Sequence, residues 1–340
     1  MYAMKTIFDK TTLGNIKTKN RLIRSATWEG MADGEGHIPE ELFKVYDGLF
    51  SGGVGAVITG FTSVSDNDFY FGGMVRLSND SLISEHKILT ENAHKNDCPV
   101  IVQLALGEYN GSYRNMSIND LTKEDIERIE ELFVSAAHRA KSAGYDGVQI
   151  HAAHGFFLSR FISPAYNHRL DEYGGSAENR GRIVAEIIAK IKKDIPDLHI
   201  TMKINCSDFM LGGLVPSESL VICQQCENAG LGSVEVSGAG TSFSGIRAGV
   251  NEAYFKDFAL ALAKQIDIPV ILVGGHRSIE NMNAVLNEGG IGFLSLSRPL
   301  IREPDLINRW QNGDTSPAKC VSCNMCYRTN NHQCVFNMKK

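Results

Sequence analysis

The run HAAHGFFLSRFISPAYNHRLDEYGGSAENR, residues 151–180, decides how the rest of the chain is read. Just before it, YDGVQI (residues 145–150) has the character of a buried strand, with Val148 and Ile150 alternating against Gln149 and His151. Just after it, Ser176 with Asn179 opens an amphipathic helix whose apolar stripe is Val184, Ile187, Ile188 and Ile191. The connection between strand and helix is far longer than usual, and loops of that length are usually functional. It starts with His151 and His154, placed at a strand's carboxyl end where both imidazoles could face one pocket. The same spacing suits a structural pair, so the motif alone leaves both readings open.

The unit recurs on either side. Strands are expected at residues 21–26, 55–60, 99–105, 146–151, 199–205, 233–237, 269–273 and 291–296. Helices are expected near residues 39–50, 84–94, 217–229 and 254–265. Thr122 with Asp125 resembles a helix N-cap before the stripe Ile126, Ile129, Phe133 and Ala137, a helix that Gly144 ends, and Ser278 caps another. Eight strand–helix alternations without an antiparallel hairpin signal predict one closed parallel (β/α)8 TIM barrel. Active sites of such barrels lie at the carboxyl ends of the strands, where Gln103, His151, Lys203 and Gly274 fall.

Composition narrows the function classes. Of 340 residues 43% are hydrophobic and 21% charged, with a net charge of −5 and both signs interspersed, so no nucleic-acid footprint exists. No apolar run approaches membrane-spanning length, and the start MYAMKTIFDK carries no signal-peptide core. A soluble cytoplasmic protein is expected. Of the eight cysteines, four lie near the C-terminus as Cys320, Cys323, Cys326 and Cys334, a C-x2-C-x2-C-x7-C pattern. In that setting such a cluster points to metal, with iron–sulfur favoured over zinc. Cys223 and Cys226 share one helix face and read as small apolar packing residues, as do Cys98 and Cys206.

Two further features carry chemistry. Gly274 and Gly275 after strand seven, with Ser297 and Arg298 after strand eight, stand where this barrel commonly binds phosphate. Lys203 points into the barrel without a local partner in sequence, so it either faces a cofactor's negative charge or serves as a Schiff-base nucleophile.

These residues resemble the Old Yellow Enzyme family of NADH:flavin oxidoreductases. The resemblance rests on HAAHG (residues 151–155), FxSPxxNxRxDxYGGSxENR (residues 161–180), the opening NRLIRSA and IVQL around Gln103. The tail, CVSCNMC with CVFN, resembles the cluster-binding segment of the 2,4-dienoyl-CoA reductase and trimethylamine dehydrogenase branch, whose members carry a [4Fe-4S] cluster there. The resemblance implies an FMN-binding barrel over residues 1–312 and a Cys-rich metal-binding tail over residues 313–340. It also implies that the chain stops short of the nucleotide-binding domains of larger relatives. Ser25, Ala26 and Thr27 would lie along the flavin ring, with Gly60 and Gln103 at its polar edge and Lys203 near N1. Gly274, Gly275, Ser297 and Arg298 would hold the phosphate, and His151 and His154 would polarise a substrate carbonyl. The chain departs from the family at three points. Phe156 replaces a proton-donating tyrosine, Trp28 is larger than usual, and the last cysteine spacing is short.

The expected reaction is reduction of an activated C=C bond in an enone or enoyl-type substrate, with NAD(P)H or an electron-donor protein as the source. The alternatives are dehydrogenation of an amine-type donor, a Schiff-base lyase built on Lys203, and an electron-relay subunit. Tyr109, Tyr113 or an ordered water are the candidates to give the proton that Phe156 cannot. A small-molecule substrate and a homo-oligomer are expected, and neither nucleic acid nor membrane.

Overall fold

The computed structural model describes residues 4–111, 116–240 and 245–338. Its wall is made by eight parallel strands: β1 (Leu22–Arg24), β2 (Ala56–Ser63), β3 (Val100–Ala105), β4 (Gly147–Ala152), β5 (His199–Asn205), β6 (Ser233–Ser237), β7 (Val270–Val273) and β8 (Ile291–Leu296). Each pairs with the next in sequence, β8 pairs with β1, and Ile23 opposite Ala56 closes the ring. The fold is therefore the predicted (β/α)8 barrel. No helix among the described residues is long and apolar enough to cross a membrane.

Strand periodicity explains the layering. Val148, Ile150 and Ala152 of β4 join the large core shared with the surrounding helices. Ile23, Ala56, Ile58, Ile101, Ile271 and Phe293 form a separate cluster with Leu13 and Ile16. That cluster plugs the barrel at its amino end, each large aliphatic side chain adding roughly 1.5–3 kcal/mol by its burial. Above the plug the buried strand positions turn polar, with Gln103, Gln149, His151, Lys203 and Glu235. The interior thus has an apolar base and a polar upper layer at the carboxyl ends.

Several boundaries differ from expectation, each for a local reason. Leu13 and Ile16 come from an antiparallel hairpin, Thr11–Leu13 with Ile16–Thr18, whose turn is Gly14-Asn15 with Gly14 at φ +56°. A glycine–asparagine pair is a recognised hairpin turn signal, and the expectation of no hairpin overlooked it. The long connection after β4 contains a short helix, Phe157–Ile162, and the main helix follows at Ala177–Asp194. The helix expected over residues 254–265 is confined to Lys256–Leu262, and Ser278 precedes its helix without capping it, because its hydroxyl donates to Glu252. Thr122 does cap, its oxygen accepting from the Asp125 N–H while Asp125 accepts from the Thr122 N–H.

Beyond the last helix, Leu306–Gln311, the chain folds back along the barrel. The Ala318 N–H donates to the Arg277 carbonyl at 2.8 Å, and the Lys319 N–H to Glu303 at 2.6 Å. Further on, His332 bonds the carbonyl of Trp28.

Candidate active site

The polar layer is one connected network centred on Glu235, which has no solvent exposure. Lys203 Nζ lies 3.1 Å from Glu235 and donates to Ser25 Oγ at 2.7 Å. Ser25 and Ser295 donate to Glu235 at 2.6 Å each, and Gln149 Nε2 does so at 2.9 Å. Gln149 Oε1 in turn accepts from Gln103 at 2.8 Å. Burial works to raise the Glu235 pKa, but the Lys203 ammonium and the bonds from Ser25, Ser295 and Gln149 outweigh it, so it stays below the ordinary value. A buried ion pair is tolerable only when hydrogen bonds satisfy its groups, and here Ser25, Ser295 and Gln149 donate to Glu235 while Lys203 also donates to Ser25.

The two histidines stand beside this layer. His151, next to last in β4, is in register with Lys203, and its buried Nδ1 has no hydrogen-bond partner. His154 sits in the left-handed region at φ +65°, followed by Gly155 at +79°. Such a backbone costs a non-glycine residue on the order of 1 kcal/mol or more. It is held by the His154 N–H donating to Asn205 Oδ1 at 3.1 Å and the Gly155 N–H to Ser159 at 3.1 Å. That turn brings the rings to 5.3 Å between centroids and sets His154 Nε2 2.8 Å from Ser237 Oγ. Burial, then Lys203, lowers the His154 pKa to about 3, while burial with His154 and Lys203 drives His151 well below its usual value. Both are neutral near pH 7 and present an N–H donor without a charge.

Around these groups lies a cavity of about 410 Å³. Ser25, Ala26, Thr27, Gln103, Lys203, His151, His154 and Ser297 line it, so the structure brings these expected site residues together. Phe156 forms part of the wall, with its ring centroid 5.0 Å from that of His151 and 5.5 Å from that of Tyr70. Phe71 joins Phe156 at 5.8 Å to Trp28 at 4.8 Å, and Trp28 meets His332 at 5.1 Å. The three departures seen in the sequence therefore share one aromatic side of the cavity.

Other expected residues sit elsewhere. A Cβ on Gly60 would stand 2.4 Å from the Thr27 carbonyl oxygen, so the glycine permits close packing beneath Thr27. Gly274 and Gly275, at φ +131° and +74°, lie under the Tyr254 ring, 2.8 Å from a Cβ built on Gly275. Arg298 does not reach the cavity; its guanidinium donates to Asn324 at 2.5 Å. Tyr109 is also a correction: it faces a separate cleft and donates to Asp125 at 3.3 Å, so it is no proton donor to this cavity. Tyr113 lies outside the described residues.

All four tail cysteines line one small space of about 20 Å³ with Arg298 and Asn324. Arg277 donates to Cys320 Sγ and Arg302 to Cys334 Sγ, both at 3.6 Å. Among the described residues no three His, Cys, Asp or Glu side chains are placed to hold a metal ion. Cys98, Cys223 and Cys226 are buried, and burial pushes the thiols of Cys98 and Cys223 up to about 12, as suits packing residues.

Sequence reasoning missed Glu235, Gln149, Ser237, Tyr70, Phe71, Tyr254 and His332 at the cavity or its floor. Glu235 had a signal, since alternation in SVEVS turns it inward. The loop residues had none.

Comparison with known proteins agrees with this geometry. The sequence matches the profile of the NADH:flavin oxidoreductase / NADH oxidase family over residues 6–116 and 108–316. It is 30% identical to an NADH oxidase of Thermoanaerobacter brockii, with 94% of this chain and 53% of that protein aligned. It is 25% identical to a cinnamate reductase of Clostridium sporogenes, over 94% of this chain and 55% of that one. A structure of histamine dehydrogenase from Rhizobium sp. 4-9 superposes with a TM-score of 0.80 at 26% identity, covering 94% of this chain and 50% of that one. The chain thus spans about half the length of these curated relatives. The chain belongs to the NADH:flavin oxidoreductase / NADH oxidase family.

Proposed function

We propose that this protein is an FMN-dependent oxidoreductase that reduces an activated C=C bond in an enone or enoyl-type substrate, drawing electrons from NAD(P)H or a donor protein. The observation that carries the reading is the pair of neutral, buried histidines beside the Lys203–Glu235 floor, with His151 Nδ1 left unpartnered. A neutral imidazole on the cavity wall can donate one N–H to a substrate oxygen. Gln103, Lys203 and Ser25 would hold the polar edge of FMN. The backbone N–H groups around Gly275 and Arg298 would receive its phosphate once the Tyr254 ring moved aside. Bound there, reduced flavin would supply hydride. His151 and His154 would donate to the substrate carbonyl and stabilise the negative charge that develops on it. Phe156 cannot deliver the α-carbon proton, and Tyr70, against its ring, places a hydroxyl on the same wall. Tyr70→Phe should then lower enone turnover more than Tyr109→Phe does, a difference that steady-state kinetics resolves.

The second reading, oxidation of an amine-type donor, is favoured by Phe156 and by the likeness to histamine dehydrogenase. The lyase reading has no comparable support, because Lys203 is engaged by Glu235 and Ser25.

We infer a [4Fe-4S] cluster rather than zinc for the tail. One zinc ion needs its four sulfurs within about 2.3 Å of a single point, whereas a cluster spreads four thiolates over different irons. What supports the reading is that all four cysteines line one space, together with the likeness of their spacing to the cluster-binding segment. Anaerobic purification with absorbance spectroscopy and assay of FMN, iron and zinc tests both assignments. Stoichiometric FMN with about four irons per chain is expected. Zinc in place of iron would remove the electron-relay role, and absence of FMN would overturn the function.

A further inference from the structure

We propose that Glu235 is a positioning residue that fixes which hydrogen-bonding groups the cavity floor shows to the flavin, so that recognition of the flavin imide N–H depends on it. The inference rests on the FMN reading and deepens it. An ionised carboxylate only accepts hydrogen bonds. Glu235 receives four, from Ser25, Ser295, Gln149 and Lys203, at 2.6 to 3.1 Å. The Gln149 amide nitrogen must therefore face Glu235, which turns its oxygen to Gln103. Gln103 Nε2 gives one N–H to that oxygen, which turns the amide so that Gln103 offers its own Oε1, an acceptor, to the cavity it lines. On the other side Ser25 gives its proton to Glu235 and accepts from Lys203, leaving the third Lys203 N–H as a donor.

The floor thus presents a cationic donor beside a neutral acceptor. That pattern is complementary to a carbonyl next to an imide N–H, the arrangement along the pyrimidine edge of a flavin. The polarity is set two side chains away from the ligand. With an amide at position 235, which can both donate and accept, the Gln149–Gln103 chain could run in either direction. Gln103 would then present oxygen or nitrogen with little preference. A role limited to pairing with Lys203 predicts something different, a uniform loss of affinity for any flavin.

Full-length protein stripped of flavin, titrated with FMN and with 3-methyl-FMN, separates these outcomes by quenching of flavin fluorescence. The methyl group removes the imide N–H and leaves the carbonyls in place. Wild type should prefer FMN by about tenfold or more, the worth of one buried hydrogen bond plus the acceptor left unsatisfied. In Glu235→Gln that preference should largely disappear. Gln149→Met, which breaks the relay but keeps the Lys203–Glu235 pair, should lose it as well and decides the matter if the first variant does not fold. A folded variant of either kind that retains the wild-type ratio overturns the inference. Wild type that binds neither flavin overturns the FMN reading itself, which is a different result.

Discussion

Replacing His151 or His154 with alanine should slow enone reduction by about 100-fold or more, the usual consequence of losing one donor to a developing oxyanion. The two variants should not behave alike in other respects. His151 Nδ1 is buried and unpartnered, so its removal deprives the transition state of a donor without breaking a bond in the resting protein. His154 is bonded to Ser237 and sits on a left-handed turn, so its removal also releases Ser237 and relaxes that backbone. His154→Ala should therefore combine the rate loss with a changed KM, whereas His151→Ala should act mainly on kcat. Because both rings are already neutral near pH 7, neither variant should move an acid limb of the rate profile lying above pH 5. Steady-state kinetics from pH 5 to 8 would check all three points, and a fall of less than tenfold in both variants would contradict the assigned role.

Acid should unfold this protein early. His86, His199 and His276 are lowered by burial to about 4, His154 by burial and Lys203 to about 3, and His151 well below its usual value by burial with His154 and Lys203. Each binds a proton in the unfolded chain below about pH 6.5 but not in the folded one, so stability falls as pH drops through that window. The slope is up to about 1.4 kcal/mol per pH unit for each ring. Two carboxyls act in the opposite sense: burial raises Glu29 to about 6 and Glu130 to about 7, so both gain their proton earlier when folded. Their help ends near pH 4.5, where the unfolded chain takes up the same protons. A loss on the order of 10 °C in Tm between pH 7 and 5 is expected, steepening below that. His199 sits at the amino end of β5, away from the cavity, so His199→Asn should flatten the slope by about one proton without affecting the site. A Tm that stays level from pH 7 to 5 would show that these rings are not buried neutral.

The parts of this molecule written in short-range pattern were readable before any coordinates. β5, β6 and β8 begin and end where alternation placed them, because a strand buried on both faces repeats every second residue. The cavity floor followed from the same rule, which places Gln103, Lys203 and His151 at strand ends. Glu235 could have been read by it too, since it pairs in register with Lys203 on the adjacent strand. What alternation does not carry is the direction of loop side chains. Tyr70 and Phe71 reach the cavity from the loop after β2, and His332 reaches it from the tail, so only the folded chain brings Trp28, Phe156 and the short cysteine spacing together. Where the Arg298 guanidinium points was likewise not written in the strand pattern. Its position at the end of β8 was correct, but Asn324, 26 residues on, captures its guanidinium.

The central claim is that this cavity reduces an activated C=C bond, and a single-turnover experiment tests it most directly. Photoreduced protein is mixed anaerobically with a panel of enones and enoyl thioesters, and oxidised protein separately with a panel of amines, while flavin absorbance is followed. Reoxidation by at least one enone or enoyl substrate, with the saturated carbonyl product formed in equal amount, is the predicted result. No reoxidation by any of them, together with reduction of the oxidised protein by an amine, would contradict the account.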